Sequence, residues 1–259
     1  ATILAQLISA IAVILRLCGK RYNITVRPST LRIHPDLAKS ILLIGIPAGL
    51  QQLVTSAGST VIQTFTNSFG SNVVAANSTI IKIDGFIILP MMAIGTAITT
   101  FVGQNIGAKK HERLKEGIRL SLILACALAV GLGIILFACA PYAVRLFTDE
   151  QAIIDVGTVG LRTLGFFYIF AALNNTLTGI IRGAGASTIP MLSAFLNIGF
   201  RIVLSYVLAY KANNYTGLYY AIIIGNAANA LALILYYKLG HWREASVITD
   251  MPQTKEADA

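Results

Sequence analysis

The chain has 259 residues, 56% of them hydrophobic and only 12% charged, with a formal net charge of +9 and a mean hydropathy of +0.72. So little polar surface cannot cover a globule in water, which excludes an ordinary soluble domain and predicts an all-α integral membrane protein. At roughly 20 residues per crossing, the length allows about seven transmembrane helices and no separate soluble domain.

In chain order, residues 1–17 are apolar but lack an initiator Met, a charged n-region and a cleavage site, so they do not read as a signal peptide. They are short for a crossing and are expected to be the end of a preceding transmembrane helix. Residues 18–36 are basic and contain Pro28 and Pro35, the pattern of a cytoplasmic linker. A six-helix lobe is predicted over 37–240, with spans at 37–68, 73–106, 118–140, 153–181, 189–209 and 217–239. Pro47 and Pro90 are expected kink sites. Glu112, Arg113, Lys115, Glu116 and Arg119 suit a short amphipathic helix lying at the interface. Residues 241–259 read as a polar cytoplasmic tail.

Cations set the expected orientation. Arg16, Lys20, Arg21, Arg27, Arg32 and Lys39 fall in one connection, and Lys109, Lys110, Arg113, Lys115 and Arg119 in another, so both connections are expected on the cytoplasmic side. The loops at 67–72, 141–151 and 211–215 then lie outside, with Arg145 and Lys211 as their only cations. The C-terminus is cytoplasmic on this scheme, in a multi-pass protein of the plasma (cell inner) membrane. The positive charge records topology and does not point to nucleic acid, because it is split among membrane edges.

Polar residues inside the spans carry the functional argument. Gln52, Thr55, Ser56, Ser59, Gln63, Thr66 and Asn67 recur every three or four residues and form one helical face. In lipid such a face must line a cavity or hydrogen-bond neighbouring helices. The amides add bulk that tight packing disfavours, so the cavity reading is preferred. Ser193, Asn197, Arg201 and Ser205 make a second stripe with a guanidinium near mid-span. That cation needs a partner, and Asp84 is the only carboxylate deep within an apolar span. An Asp84–Arg201 pair is therefore expected, either as a static ion pair or in ion coupling. Lys82 is a third candidate for ion coupling or a buried ion pair, although, two residues from Asp84, it projects elsewhere on the helix. Asn174, Asn175 and Thr178, with Asn226 and Asn229, are weaker signals of the same kind, and Arg162 reads as a snorkelling cation.

Enzyme chemistry finds no support. His34, His111 and His241 sit at the edges of the spans, and no catalytic triad, metal set or carboxylate pair can be assembled within them. Cys126 and Cys139 lie about 20 Å apart along one predicted helix, too far for a disulfide, and Cys18 stands at a basic helix end. Gly103-Gln104-Asn105-Ile106-Gly107 lacks the Gly-Lys-Ser/Thr ending of a phosphate-binding loop, which leaves an ion gradient as the expected energy source. No cofactor or metal is expected beyond the coupling cation.

Several segments in order, Gly45-Ile46-Pro47, Pro90, Val102-Gly103-Gln104-Asn105-Ile106-Gly107-Ala108, Arg182-Gly183-Ala184-Gly185 and Pro190-Met191, resemble the MATE family of multidrug and toxic compound extrusion transporters. The resemblance covers nearly the whole chain, from the sixth helix of that fold through its twelfth. It implies the C-terminal lobe of a two-lobe transporter whose N-terminal lobe is the missing partner. The implied activity is export of amphipathic, often cationic small molecules against H+ or Na+ by alternating access. The Gly103 to Gly107 and Arg182 to Gly185 segments would be joints or gates, with Arg182 bonding backbone carbonyls. Gln52, Thr55, Ser56, Ser59, Gln63 and Asn67, then Asn174, Asn175, Thr178 and Asn197, would line the pathway.

One branch of the family, the NorM-like one, carries a glutamate and an aspartate where this sequence has Thr55 and Ala171. The pattern looks closer to the DinF-like branch, whose coupling aspartate belongs to the other lobe; Asp84 is the acid available here. The alternatives are a lipid-linked oligosaccharide flippase of the same superfamily, which would use cations such as Lys82 and Arg201, and a non-transporting membrane scaffold.

Overall fold

The computed structural model describes residues 2–17, 35–165, 167–240 and 242. Most of the expected linker and, apart from Trp242, the expected tail lie outside these. Every regular element among the described residues is helical: α1 (Thr2–Leu17), α2 (Pro35–Asn67), α3 (Ser71–Gly107), α4 (His111–Arg145), α5 (Gln151–Gly165), α6 (Tyr168–Gly183), α7 (Thr188–Leu204) and α8 (Thr216–Leu239). A π-helical stretch, Ser205–Lys211, prolongs α7. The chain divides into two compact units, Ala1–Ile41 and Leu42–Ala259. In the first, α1 has 16 residues, too few for a full crossing.

Five helices are long and apolar enough to span a bilayer, or six spans if α5 and α6, bent by 52° to each other, are taken as one. The stretch expected as one span over 153–181 is therefore two helices with a bend between them. The break follows Gly165, whose carbonyl packs so closely on Gly133 of α4 that a β-carbon there would lie 2.3 Å from it. A correction concerns the short interfacial helix. Its charged residues are instead the first turns of α4, which runs on unbroken for 35 residues. Gly117 carries the helix through that point, because the Phe101 ring occupies the space of its missing side chain. Pro47 and Pro90 lie inside continuous α2 and α3.

The core of the second unit is two apolar clusters. One joins Ile80, Met91, Leu136, Leu161, Ala172 and Tyr219; the other joins Val102, Ile118, Leu177, Ile180, Leu233 and Trp242. Trp242, assigned by sequence to the polar tail, is only 2% exposed. Its indole nitrogen donates to the Tyr237 carbonyl at 2.8 Å while its ring stacks on Tyr237.

Small residues hold α3 against α6. A β-carbon on Gly179 would come within 2.3 Å of the Gly95 carbonyl, and one on Gly183 within 2.5 Å of the Thr99 carbonyl. Such crossings stabilise helices in lipid by van der Waals contact that bulkier residues prevent. Helix α2 is held differently: no residue of its most apolar 18-residue window is buried, against 44% of the corresponding window in α8.

Candidate functional site

Helix α7 begins after the turn at Gly183 to Ser187, where Gly185 adopts a left-handed φ of +96° that favours glycine. From Thr188 its polar stripe faces α8. Ser193 is buried and donates to the Pro190 carbonyl at 3.0 Å. One turn further on, Asn197 donates to the Asn226 side-chain oxygen at 3.3 Å, and Asn174 of α6 donates to the same oxygen at 3.2 Å. Three helices thus meet at one amide. Arg201 is next on the stripe, and Gly225 of α8 makes room for it: a β-carbon there would lie 2.5 Å from the arginine's Cγ.

Beyond this node lies a cavity of about 450 Å³. Its polar wall is made by Ser59 and Gln63 of α2, Asn77 and Asp84 of α3, Asn174 and Asn175 of α6, Arg201 of α7, and Tyr219, Asn226 and Asn229 of α8. A smaller pocket of about 70 Å³ shares Asp84 and Asn226 with it and reaches Tyr168. The Tyr168 hydroxyl donates to an Asp84 carboxylate oxygen. Across the bundle, Gly160 leaves space for the Tyr219 hydroxyl, which a β-carbon would approach to 2.8 Å.

The expected Asp84–Arg201 contact does not form. Both residues face the cavity, but the closest charge pair among the described residues is Lys115–Glu112 at 2.8 Å, at the exposed start of α4. Tyr168 supplies the direct hydrogen bond to Asp84, and Arg201 acts on the carboxylate electrostatically from beyond ion-pair distance. No described residue accepts a hydrogen bond from the Arg201 guanidinium, and its buried Nε has no partner. Lys82 does not join the pair either, as its offset from Asp84 implies: it is exposed, stands 5.7 Å over the Phe147 ring and does not line the cavity.

The α2 face divides. Ser59 and Gln63 line the cavity together with Thr66, whereas Gln52, Thr55, Ser56 and Asn67 do not. The hydroxyls bond their own helix: Thr55 donates to the Gln51 carbonyl and Ser59 to the Thr55 carbonyl, each at 2.9 Å. Gln63 donates to Asn67 at 3.0 Å and accepts from Asn77 at 3.5 Å. Thr178 is half-buried outside the cavity, and Asn197 serves the amide node without lining it.

At the other end of α2, Arg182 donates to the Gln51 side-chain oxygen at 2.6 Å, so it reaches a side chain rather than the expected backbone carbonyl. Gly103 faces the Gly183 carbonyl at 3.4 Å from its would-be β-carbon, while Gln104 and Gly107 are exposed. Asn105 is buried and donates to the Phe101 carbonyl at 2.8 Å. Arg162 lies over the Phe137 ring at 5.5 Å. Among the described residues no three His, Cys, Asp or Glu side chains are grouped to hold a metal.

Residues 47–207 match the family model described as MatE. Curated relatives include the probable multidrug resistance protein YpnP of Bacillus subtilis, 32% identical over 81% of this chain and 47% of its own length. Another is the probable multidrug resistance protein NorM of Thermotoga maritima, 26% identical over 96% of this chain and 54% of its own. The chain therefore spans about half the length of these relatives. Among solved structures, a MATE in the straight conformation superposes with a TM-score of 0.84 at 20% identity, covering 96% of this chain and 56% of that one. An outward-facing multidrug resistance MATE transporter of the MOP superfamily gives 0.74 at 22%, covering 78% and 45%. At these identities the likeness is one of fold.

Proposed function

The chain belongs to the MatE family, and we propose that it forms one lobe of a secondary exporter that moves amphipathic small molecules out of the cell against H+ or Na+. The observation that carries this reading is the polar cavity of about 450 Å³ inside a bundle of apolar helices, with an acid, Asp84, and a cation, Arg201, in its wall. Ionisable groups at that depth are costly unless a pathway or a coupling ion uses them. A second lobe supplies the facing wall, and rocking of the two opens the cleft to either side in turn. Helix α2, whose apolar window is unburied, is the wall that faces the opening. The protein resides in the plasma membrane with its C-terminus cytoplasmic, needs no cofactor beyond the coupling cation, and is a transporter and not an enzyme.

Asp84 is the coupling acid of this lobe on the same reading. The test is efflux of a fluorescent dye from proteoliposomes holding the full transporter, with a sodium or a proton gradient imposed. Asp84→Asn should lower gradient-driven efflux about tenfold or more; wild-type efflux in that variant would remove Asp84 from coupling. The cavity presents one cation, because Lys82 points elsewhere. A flippase for pyrophosphate-linked lipids would want several, so the flippase reading is disfavoured. The scaffold reading is weakened by the hydroxyls of α2, which bond their own helix and tie no neighbour.

A further inference from the structure

We infer that the groove between the first turns of α4 and the end of α8 binds the headgroup of an anionic phospholipid, whose acyl chains run down the lipid-facing side of α4. The groove lies at the edge of the bundle and shares no residue with the central cavity.

It encloses about 310 Å³, with Lys115, Arg119, Leu122 and Ile123 of α4 on one side and Tyr237 and Trp242 on the other. Lys115 and Arg119 are one turn apart on one helical face, and Leu122 and Ile123 follow on the next turn. The wall is therefore cationic at its outer end and apolar about 5 Å deeper. A phospholipid has the same order, phosphate at the bilayer edge and acyl chains beneath it. Below the groove α4 continues this surface with the exposed side chains of Leu120 and Leu124. At 35 residues α4 is longer than the hydrocarbon layer, about 30 Å thick, requires, so its basic first turns stand at headgroup depth.

Trp242 makes this a pocket and not merely a charged helix face. It is buried, stacks on Tyr237 and donates its indole N–H to the Tyr237 carbonyl at 2.8 Å. The pair supplies an aromatic floor at the depth where such rings are favoured, and the charge in the described wall comes from Lys115 and Arg119.

That charge is poorly balanced from within. Lys109, Lys110, Arg113, Lys115 and Arg119 stand against Glu112 and Glu116, and neither acid lines the groove. Glu112 pairs with Lys115 at 2.8 Å on the exposed rim, where an ion pair is weak. Arg113 lies over the Phe101 ring at 5.9 Å, and Arg119 forms no ion pair among the described residues. A guanidinium matches a phosphate bidentately, and an ammonium one turn away adds a point charge to the same anion.

Trp242 is the only tryptophan of the chain, so it reports on its own pocket. The full protein, with any tryptophan outside these residues replaced by Phe, is reconstituted in phosphatidylcholine vesicles. Phosphatidylglycerol brominated on its acyl chains is then added in increasing proportion, with brominated phosphatidylcholine as the uncharged comparison; bromine quenches an indole it touches. Half-maximal quenching should need about tenfold less of the anionic lipid. Lys115→Gln with Arg119→Gln should bring the two lipids together, whereas Arg119→Lys should keep much of the preference. Lys109→Gln with Lys110→Gln removes two cations from the same edge but outside the groove, and should leave the preference in place. Equal quenching by both lipids in the wild-type protein, or quenching by neither, would overturn the proposal. So would an equal loss in the Lys109 and Lys110 variant, because the edge would then attract anionic lipid without a site. Trp242 emission in phosphatidylcholine alone should be the same in every variant; a shift confined to the Lys115 and Arg119 variant would mean that these cations hold the groove together instead, and would also overturn it.

Discussion

Asn226 shows how much can depend on one amide in this bundle. Its side-chain oxygen accepts from Asn174 and Asn197, and its nitrogen donates to the Ile222 carbonyl at 3.0 Å. Replacing it by Ala strands the Asn197 donor and leaves Asn174 only its 3.1 Å bond to the backbone carbonyl of residue 226. Interhelical hydrogen bonds in membranes each contribute modestly, so Asn226→Ala is expected to destabilise the protein by about 1–2 kcal/mol, read from the midpoint of unfolding in mixed micelles. Sequence reasoning singled out Asn174, Asn197 and Asn226 from their position in apolar spans, but not that they converge. Tyr168 was missed altogether. A tyrosine in an apolar run reads as packing, and nothing local marks it as the donor to Asp84, 84 positions away.

Elements are positioned here chiefly by glycines, and the clearest test sits on α4. Gly133 meets the Gly165 carbonyl at 2.3 Å from a would-be β-carbon, whereas Gly131, two residues away on the same helix, has open space. Gly133→Ala should force α4 from the α5–α6 break and cost about 1–3 kcal/mol. Gly131→Ala should be neutral or stabilising by up to about 1 kcal/mol, because alanine restricts the unfolded chain more. Thermal unfolding of both variants checks the contrast; equal losses would mean that the close approach is not what holds these helices. Helix existence was legible from apolar periodicity, and the seams at Gly103 and Gly183 from their motifs. Gly95, Gly133, Gly165 and Gly179 were not, since a glycine's value depends on what lies across from it.

For the whole molecule, the question is whether α2 moves. It is tied to the rest of its unit by Arg182 with Gln51, by Phe65 against Tyr206 and Tyr210, and by Gly58, where a β-carbon would lie 2.3 Å from the Ile198 side chain. That approach suits a cross-link. In a protein whose native Cys18, Cys126 and Cys139 are replaced, Gly58→Cys with Ile198→Cys should form a disulfide that stops efflux, and a thiol reductant should restore it. Full transport by the oxidised protein would show that α2 does not separate from α7 during the cycle.

The sequence by itself determined that this is an all-α membrane protein, roughly where its helices run and which side chains are out of place in lipid. It could do so because the bilayer enforces those choices locally: an apolar length and a satisfied backbone are properties of each segment alone. Only the tertiary structure decided that α5 and α6 break apart, that α4 absorbs its basic first turns, and that Tyr168 hydrogen-bonds Asp84 while Arg201 faces the same cavity from beyond ion-pair distance. Those outcomes follow from how closely helices approach, and that distance is set by glycines and bulky residues on partner helices far apart in the chain.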